Sequence, residues 1–248
     1  MKTEEFRETK IPVVEIFNSI SGEGISAGEV VTFVRVAGCN LRCSYCDTQY
    51  SYERSGAGVS WMLPEKIVEQ VTEFGSQQVI CTGGEPLEVD YPKRYLPLYL
   101  AVKGFAVRIE TNGSCPLYDN QEFRSFLTDS TLAQVDYTVD VKCPSSGMVE
   151  HDRLGENLQK LDSKDELKFV VGSQEDIEYA EEVISNYREV LASNGVIINF
   201  SPVTGEIEPA YLVDFLTTKE EYFNNSGLKV RLSLQIHKII WSEETRGV

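Results

Sequence analysis

Apolar and polar residues follow two different periods along the chain. Short runs rich in β-branched and aromatic residues predict strands at 11–17, 31–36, 78–81, 106–110, 135–142, 167–171, 195–200 and 229–237. Between them, residues 63–75 carry a helical pattern, with Pro64 in the first turn, Ile67, Val71 and Phe74 on one face, and Gly75 as the stop. Ser173 is placed to cap a helix to about Tyr187, with Ile177, Ala180, Ile184 and Tyr187 inward, and 121–127 predicts a shorter helix. About eight strands, mostly alternating with fewer helices, predict an α/β fold: a partial or modified (β/α) barrel with a mostly parallel sheet. No linker, repeat or low-complexity tract divides the chain, so 1–248 is expected to be a single domain.

Charge narrows the partners. With 39 acidic and 23 basic residues the net charge is −16, a poor surface for a phosphate backbone unless a basic patch is concentrated locally. A small-molecule substrate is expected, and no nucleic acid. No apolar run is long enough to span a bilayer, and the charged start, Met1 to Phe6, lacks a signal-peptide core, so the expectation is a cytoplasmic protein with no membrane contact. Cys81, Cys115 and Cys143 are scattered and are expected to be buried, inert thiols in a reducing compartment.

The remaining cysteines, Cys39, Cys43 and Cys46, fall on the loop leaving the 31–36 strand. Strand C-terminal ends are where α/β proteins place chemistry. Three thiolates at this spacing suit three corners of a [4Fe-4S] cube, leaving one iron open to a small chelator. A zinc knuckle or plain structural cysteines is the alternative, but both histidines, His151 and His237, lie far down the chain. Asp47 and Thr48 follow on the same loop and could serve a hard cation or cap a turn. Other strands deliver polar groups: Thr82-Gly83-Gly84-Glu85-Pro86 after 78–81, Glu110 and Asn112 after 106–110, and Asp140 with Lys142 from one face of 135–142. Asp140 and Lys142 could equally be a satisfied ion pair. Gly22-Glu23-Gly24 reads as a tight turn offering amides and one carboxylate, 201–205 is a further polar loop, and Gln235 and His237 sit near the end of the last strand.

The cysteine spacing, with Tyr45 just before the last thiol, resembles the radical S-adenosylmethionine (SAM) enzymes. The ordered set of segments 21–24, 33–41, 46–48, 82–86, 109–113 and 232–238 resembles one family of them, the 7-carboxy-7-deazaguanine synthases of queuosine and 7-deazapurine biosynthesis, from about residue 12 to the C-terminus. That resemblance implies a radical SAM type of barrel and a reaction converting 6-carboxy-5,6,7,8-tetrahydropterin to 7-carboxy-7-deazaguanine with loss of ammonia. The reaction is expected to start with a 5′-deoxyadenosyl radical removing the hydrogen at C6. It further implies a [4Fe-4S] cluster on Cys39, Cys43 and Cys46, SAM, Mg²⁺ at Thr48, a flavodoxin-like or other electron donor, and a homodimer. SAM would be held by Gly84, by Asp140, Val141 and Lys142, and by Ser201, Pro202, Val203 and Thr204. Substrate would meet Ile20, Ser21, Gly22, Glu23, Arg35, Thr82, Glu110, His237 and Val248, with Arg35 on the carboxylate.

Three stretches depart from the family's common pattern. Ser21 stands where many members have Gln, Asp140-Val141-Lys142 where many have Ser-Pro-Lys, and 201–204 replaces a Gln-Pro-Met-Asp type. Contacts by backbone atoms should survive these changes. The rival readings are another small radical SAM enzyme, such as an activase acting on a partner protein, and a non-enzymatic iron–sulfur or zinc module.

Overall fold

The computed structural model describes residues 3–126, 134–242 and 245–247. Its centre is a nine-stranded sheet in the order β3-β1-β2-β4-β5-β6-β7-β8-β9. The strands are β1 (Ile11–Ile20), β2 (Val30–Val36), β3 (Ser60–Met62), β4 (Gln78–Gly83), β5 (Ala106–Thr111), β6 (Val135–Val141), β7 (Glu166–Val171), β8 (Ile197–Pro202) and β9 (Lys229–Leu232). β1 is antiparallel to both β2 and β3, whereas every pairing from β2 to β9 is parallel. Since β3 and β9 are edges, the sheet is an open barrel. This bears out the α/β reading, with one strand more than expected.

Alternation sorts the side chains of the parallel strands by face. One set, including Val107, Ile109, Val139, Leu167, Phe169 and Ile198, is buried in the main apolar core with the helices. Each contributes roughly 1.5–3 kcal/mol by leaving water. The opposite set is polar: Arg108 and Glu110 on β5, Thr138 and Asp140 on β6, Glu166 and Lys168 on β7, Asn199 and Ser201 on β8. Register places Asp140 beside Lys168, and Lys168 beside Asn199. On β1, β2 and β4 that second face also carries an apolar patch, where Phe17, Val31, Phe33 and Ile80 form a separate buried cluster.

Two helices form as their sequence signals require. Helix α1 (Pro64–Phe74) starts with proline in its first turn and ends at Gly75, whose φ of 77° is a left-handed conformation that glycine adopts without strain. Helix α2 (Gln174–Asn186) is closed by a capping box in which the Ser173 hydroxyl accepts from the Asp176 amide. The short helix at Asn120–Phe126 is also present.

The C-terminal strand differs from expectation. β9 stops at Leu232, after which the Ser233 amide turns to the Phe200 carbonyl and the Ile236 amide to the Gly22 carbonyl. His237 therefore begins a helical turn, His237–Ile240, instead of ending a strand. Loop 21–29 lies against this segment on the open side of the sheet: the Gly24 amide donates to Ser233 Oγ at 3.0 Å and Arg231 donates to the Gly24 carbonyl at 2.8 Å.

Candidate active site

The three cysteines follow β2 on a loop that its neighbours hold by backbone and charge. The Gly38 amide donates to the Ser51 carbonyl at 2.8 Å and the Cys39 amide to the Tyr52 carbonyl at 3.1 Å. Lys93, fully buried, donates to the Ala37 carbonyl at 2.9 Å and the Gly38 carbonyl at 2.5 Å, and pairs with Glu88 at 2.9 Å. Glu85, also buried, ties its own loop to the end of β5 by accepting from the Leu87 amide, the Thr111 hydroxyl and the Asn112 amide. Gly84 packs so tightly on the loop that a β-carbon there would meet the Gly38 carbonyl.

Cys39, Cys43 and Cys46 are half-buried free thiols opening onto one cavity of about 850 Å³. Burial pushes the Cys39 thiol up, against the opposing effect of the Leu41 amide, and pushes Cys43 up against the Lys142 ammonium. The Cys39 sulfur accepts from the Leu41 amide at 3.5 Å and from Asn112 Nδ2 at 3.7 Å. Cys81, Cys115 and Cys143 are buried in the core, as expected.

A chain of alternating charge crosses the cavity. Lys142 Nζ lies 2.7 Å from Asp140 Oδ2, Lys168 Nζ is 3.1 Å from Asp140 Oδ1 and 3.0 Å from Glu23 Oε2, and Gln235 Nε2 donates to Glu23 Oε1 at 2.6 Å. Burial works against the Asp140 charge, but the two ammonium groups outweigh it and hold the carboxyl below the usual carboxylate range. Burial likewise opposes the Lys168 ammonium, and Asp140, Glu23 and Glu110 outweigh it, holding Lys168 well above its ordinary value. Glu110 goes the other way, because burial dominates and raises its carboxyl. His237 is lowered, by burial first, which favours the neutral imidazole.

A second cluster surrounds Arg35. Its Nε is 2.7 Å from Glu15 Oε1, and that same oxygen accepts from the Tyr50 hydroxyl at 2.8 Å. Arg35 lies over the Phe17 and Tyr50 rings, and Arg246 sits 4.1 Å from the centre of the Tyr50 ring. Among the described residues, the terminal nitrogens of Arg35 have no hydrogen-bond partner, which leaves a two-pronged donor for an anionic group. Beyond the cysteines, the Thr48 hydroxyl donates to Asp47 Oδ1 at 2.8 Å, and Lys238 is 3.3 Å from Asp47 Oδ2.

Of the residues expected at the site, Ile20, Gly22, Glu23, Arg35, Cys39, Cys43, Cys46, Thr48, Thr82, Gly84, Glu110, Asp140, Lys142, Val203, Thr204 and His237 line this one cavity. Ser21 turns into its own loop, its hydroxyl 2.9 Å from that of Ser26. Val141 is buried in the apolar core, and Ser201 and Pro202 are buried on β8 without lining the cavity. Val248 lies outside the described residues. Lys168, Tyr50 and Arg246 are among the lining residues not assigned to the site from the sequence. A lysine inside an otherwise apolar strand is the signal that points to the first, while Tyr50 and Arg246 carry none that pattern alone exposes.

These residues fit a cluster with an open iron. Thiols raised by burial lose their protons when they ligate iron, and two N–H donors already face Cys39 Sγ. Among the described residues, no three His, Cys, Asp or Glu side chains converge as a single metal ion requires. Beside the thiols, the close approach of Gly84 and the unpartnered Tyr45 hydroxyl leave polar groups of the kind a zwitterionic cofactor such as SAM would take up. For Mg²⁺ the donor set is the oxygens of Thr48 and Asp47, so the ion would complete its shell with substrate oxygens and water.

Residues 33–140 match the Radical SAM superfamily. A 7-carboxy-7-deazaguanine synthase from Clostridium acetobutylicum is 38% identical over 95% of this chain and 98% of its own length. Proteins of that name from Methanospirillum hungatei and Chlorobaculum tepidum are 36% and 34% identical, over 92% and 97% of this chain and 84% and 99% of theirs. In three dimensions the chain is similar to the crystal structure of QueE from Escherichia coli, with a TM-score of 0.71 at 21% identity, covering 95% of this chain and 98% of that one.

Proposed function

The chain belongs to the 7-carboxy-7-deazaguanine synthases of the radical SAM superfamily, and on that footing we propose how its own residues divide the work. It is a radical SAM lyase that converts 6-carboxy-5,6,7,8-tetrahydropterin to 7-carboxy-7-deazaguanine with loss of ammonia, in queuosine biosynthesis. The observation that carries the division is that the three thiols, the Lys142–Asp140–Lys168–Glu23 chain and Arg35 all face one cavity.

Cys39, Cys43 and Cys46 would hold the [4Fe-4S] cluster, with Gly84, the 140–142 segment and residues 201–204 around SAM. When bound, these groups supply the one-electron cleavage chemistry of the superfamily. The chain's own part is to position the substrate and exclude water. Arg35, with its Nε committed to Glu15, presents its terminal nitrogens to the substrate carboxylate. Glu23 already receives bonds from Lys168 and Gln235 and has lone pairs left for pterin N–H groups. Glu110, its carboxyl raised by burial, faces the cavity beside Thr82, where it is placed to bond a polar group of the pterin. Gly22 backs onto His237, whose imidazole would fill any side chain placed there. Ile20 and Ser21 would offer backbone groups, and Val248 would also meet the substrate.

Mg²⁺ at Thr48, a homodimer, a flavodoxin-like or other electron donor and a cytoplasmic location belong to the same reading and rest on family membership. Among the described residues, no helix is long and apolar enough to cross a membrane. Anaerobic reconstitution with iron and sulfide, followed by incubation with the carboxypterin, SAM, Mg²⁺ and reductant, tests the whole. Mass spectrometry should find 7-carboxy-7-deazaguanine; SAM cleavage without that product would overturn the substrate assignment.

A further inference from the structure

Lys168 occupies a position that its strand alone does not account for. It is the third residue of β7, with its side chain 11% exposed, and it bonds Glu23 on one side and Asp140 on the other. Asp140 is also bonded to Lys142, so it is held in place independently of Lys168. Glu23 comes from loop 21–29, which has no strand of its own to fix it. Its two oxygens are divided between Lys168 and Gln235.

Two residues earlier on the same face of β7, Glu166 is fully buried and accepts from the Ile25 amide at 3.0 Å. Glu166 is itself fixed by Arg108 Nη1 at 2.8 Å and by the Asn199 side-chain amide. A β-carbon on Gly24 would come within 2.6 Å of Glu166 Oε2, so the loop is seated on that carboxylate. β7 thus grips loop 21–29 at two points, through the backbone at Ile25 and through the Glu23 carboxylate.

A pterin carries an aminopyrimidine edge with adjacent N–H donors, and a carboxylate accepts two of them only when its plane is set. Resting on the functional reading above, we propose that Lys168 is a positioning residue for substrate recognition. Its ammonium fixes the Glu23 carboxylate, through Oε2, in the orientation that receives that N–H edge, and anchors it to the cofactor side of the cavity through Asp140. Lys168 itself does not touch the reacting atoms. Misplacing a recognition group by about 1 Å costs on the order of a hundredfold in rate, so such a brace matters without taking part in a bond change.

The test uses the reconstituted enzyme without reductant, so that nothing turns over, and titrates the carboxypterin and SAM separately by calorimetry on wild type, Lys168→Met and Lys168→Arg. Lys168→Met should weaken the carboxypterin about ten- to hundredfold, the range for losing a charge-assisted bond. SAM affinity should stay within about threefold because Lys142 still pairs with Asp140, and Lys168→Arg should recover part of the loss. With reductant restored, KM for the carboxypterin should rise more than kcat falls. Unchanged carboxypterin affinity in Lys168→Met overturns the inference and leaves the function standing. Equal losses of SAM and carboxypterin in both variants, with a lowered Tm, overturn it in favour of a purely structural lysine. A wild-type enzyme that binds SAM but not the carboxypterin overturns the functional reading, and the inference with it.

Discussion

Gly84 and Gly38 approach so closely that a β-carbon built on Gly84 would lie 1.9 Å from the Gly38 carbonyl oxygen. The contact joins the end of β4 to the loop that carries Cys39, and the Glu85 amide reinforces it by donating to the same carbonyl at 2.8 Å. The obstacle to a side chain is backbone, which cannot rotate away. Gly84→Ala should therefore push the two loops apart, lower stability by about 1–3 kcal/mol as overpacking does, and reduce iron bound per chain after reconstitution. A Gly84→Ala variant with wild-type Tm and full iron content would show that the loops do not need this contact.

The six cysteines divide into two groups with opposite expected behaviour. Cys39, Cys43 and Cys46 face the cavity, whereas Cys81, Cys115 and Cys143 are buried away from it. Cys43→Ala should abolish the cluster's visible absorbance and all turnover. Cys81→Ala should keep both and cost only stability, on the order of 1 kcal/mol for a small cavity. Iron analysis and absorbance spectra of the two variants check the division, and a Cys43→Ala protein that loads a full cluster and turns over would end the ligand assignment.

Much of this arrangement is legible in the chain, and the parts that are not share a cause. Strand runs such as 31–36 and the helix at 64–74 show because their apolar spacing is local. The cysteines show because their ligand spacing is local too. Strand direction does not: the antiparallel β1 has the same alternation a parallel strand would have, and β3 is three residues long. Alternation beyond Leu232 continues the β9 pattern, yet the chain leaves the sheet because the Ile236 amide finds the Gly22 carbonyl, more than 200 residues away in sequence. Lys168 shows the same limit. Its partner Glu23 is 145 positions distant, and in sequence it is one lysine among the apolar residues of its strand.

Arg35 should act on binding more than on turnover. With Nε held by Glu15, the terminal nitrogens keep a fixed direction into the cavity. Arg35→Ala should raise the carboxypterin KM about ten- to hundredfold with a smaller change in kcat, since the carboxylate does not react. Arg35→Lys should restore charge without the two-pronged geometry and fall between. Glu15→Gln should shift KM in the same direction by less, because an amide still accepts from Nε. Steady-state kinetics on the three variants check the order; an unchanged KM in Arg35→Ala would remove Arg35 from the carboxylate.

Stability should carry a pH signature from a carboxyl far from the chemistry. Asp165 immediately precedes β7, and it accepts from the Tyr137 amide and the Asp162 amide, each at 2.8 Å. Burial nevertheless dominates and pushes its carboxyl up from 3.8 to about 6. The folded protein thus holds this proton in a range where the unfolded chain has released it. The associated stabilisation is fully present below pH 3.8 and is lost as pH rises through about 6. Two pKa units correspond to roughly 2–3 kcal/mol. Other carboxyls, Asp140 among them, are lowered and act in the opposite sense, so the wild-type curve mixes both contributions. The Asp165→Asn variant isolates this one. Between pH 4 and 6.5 the Tm of wild type should fall relative to that of Asp165→Asn, measured anaerobically on loaded protein. A constant difference across that range would mean that Asp165 titrates as an ordinary exposed carboxylate, its two amide bonds having offset its burial.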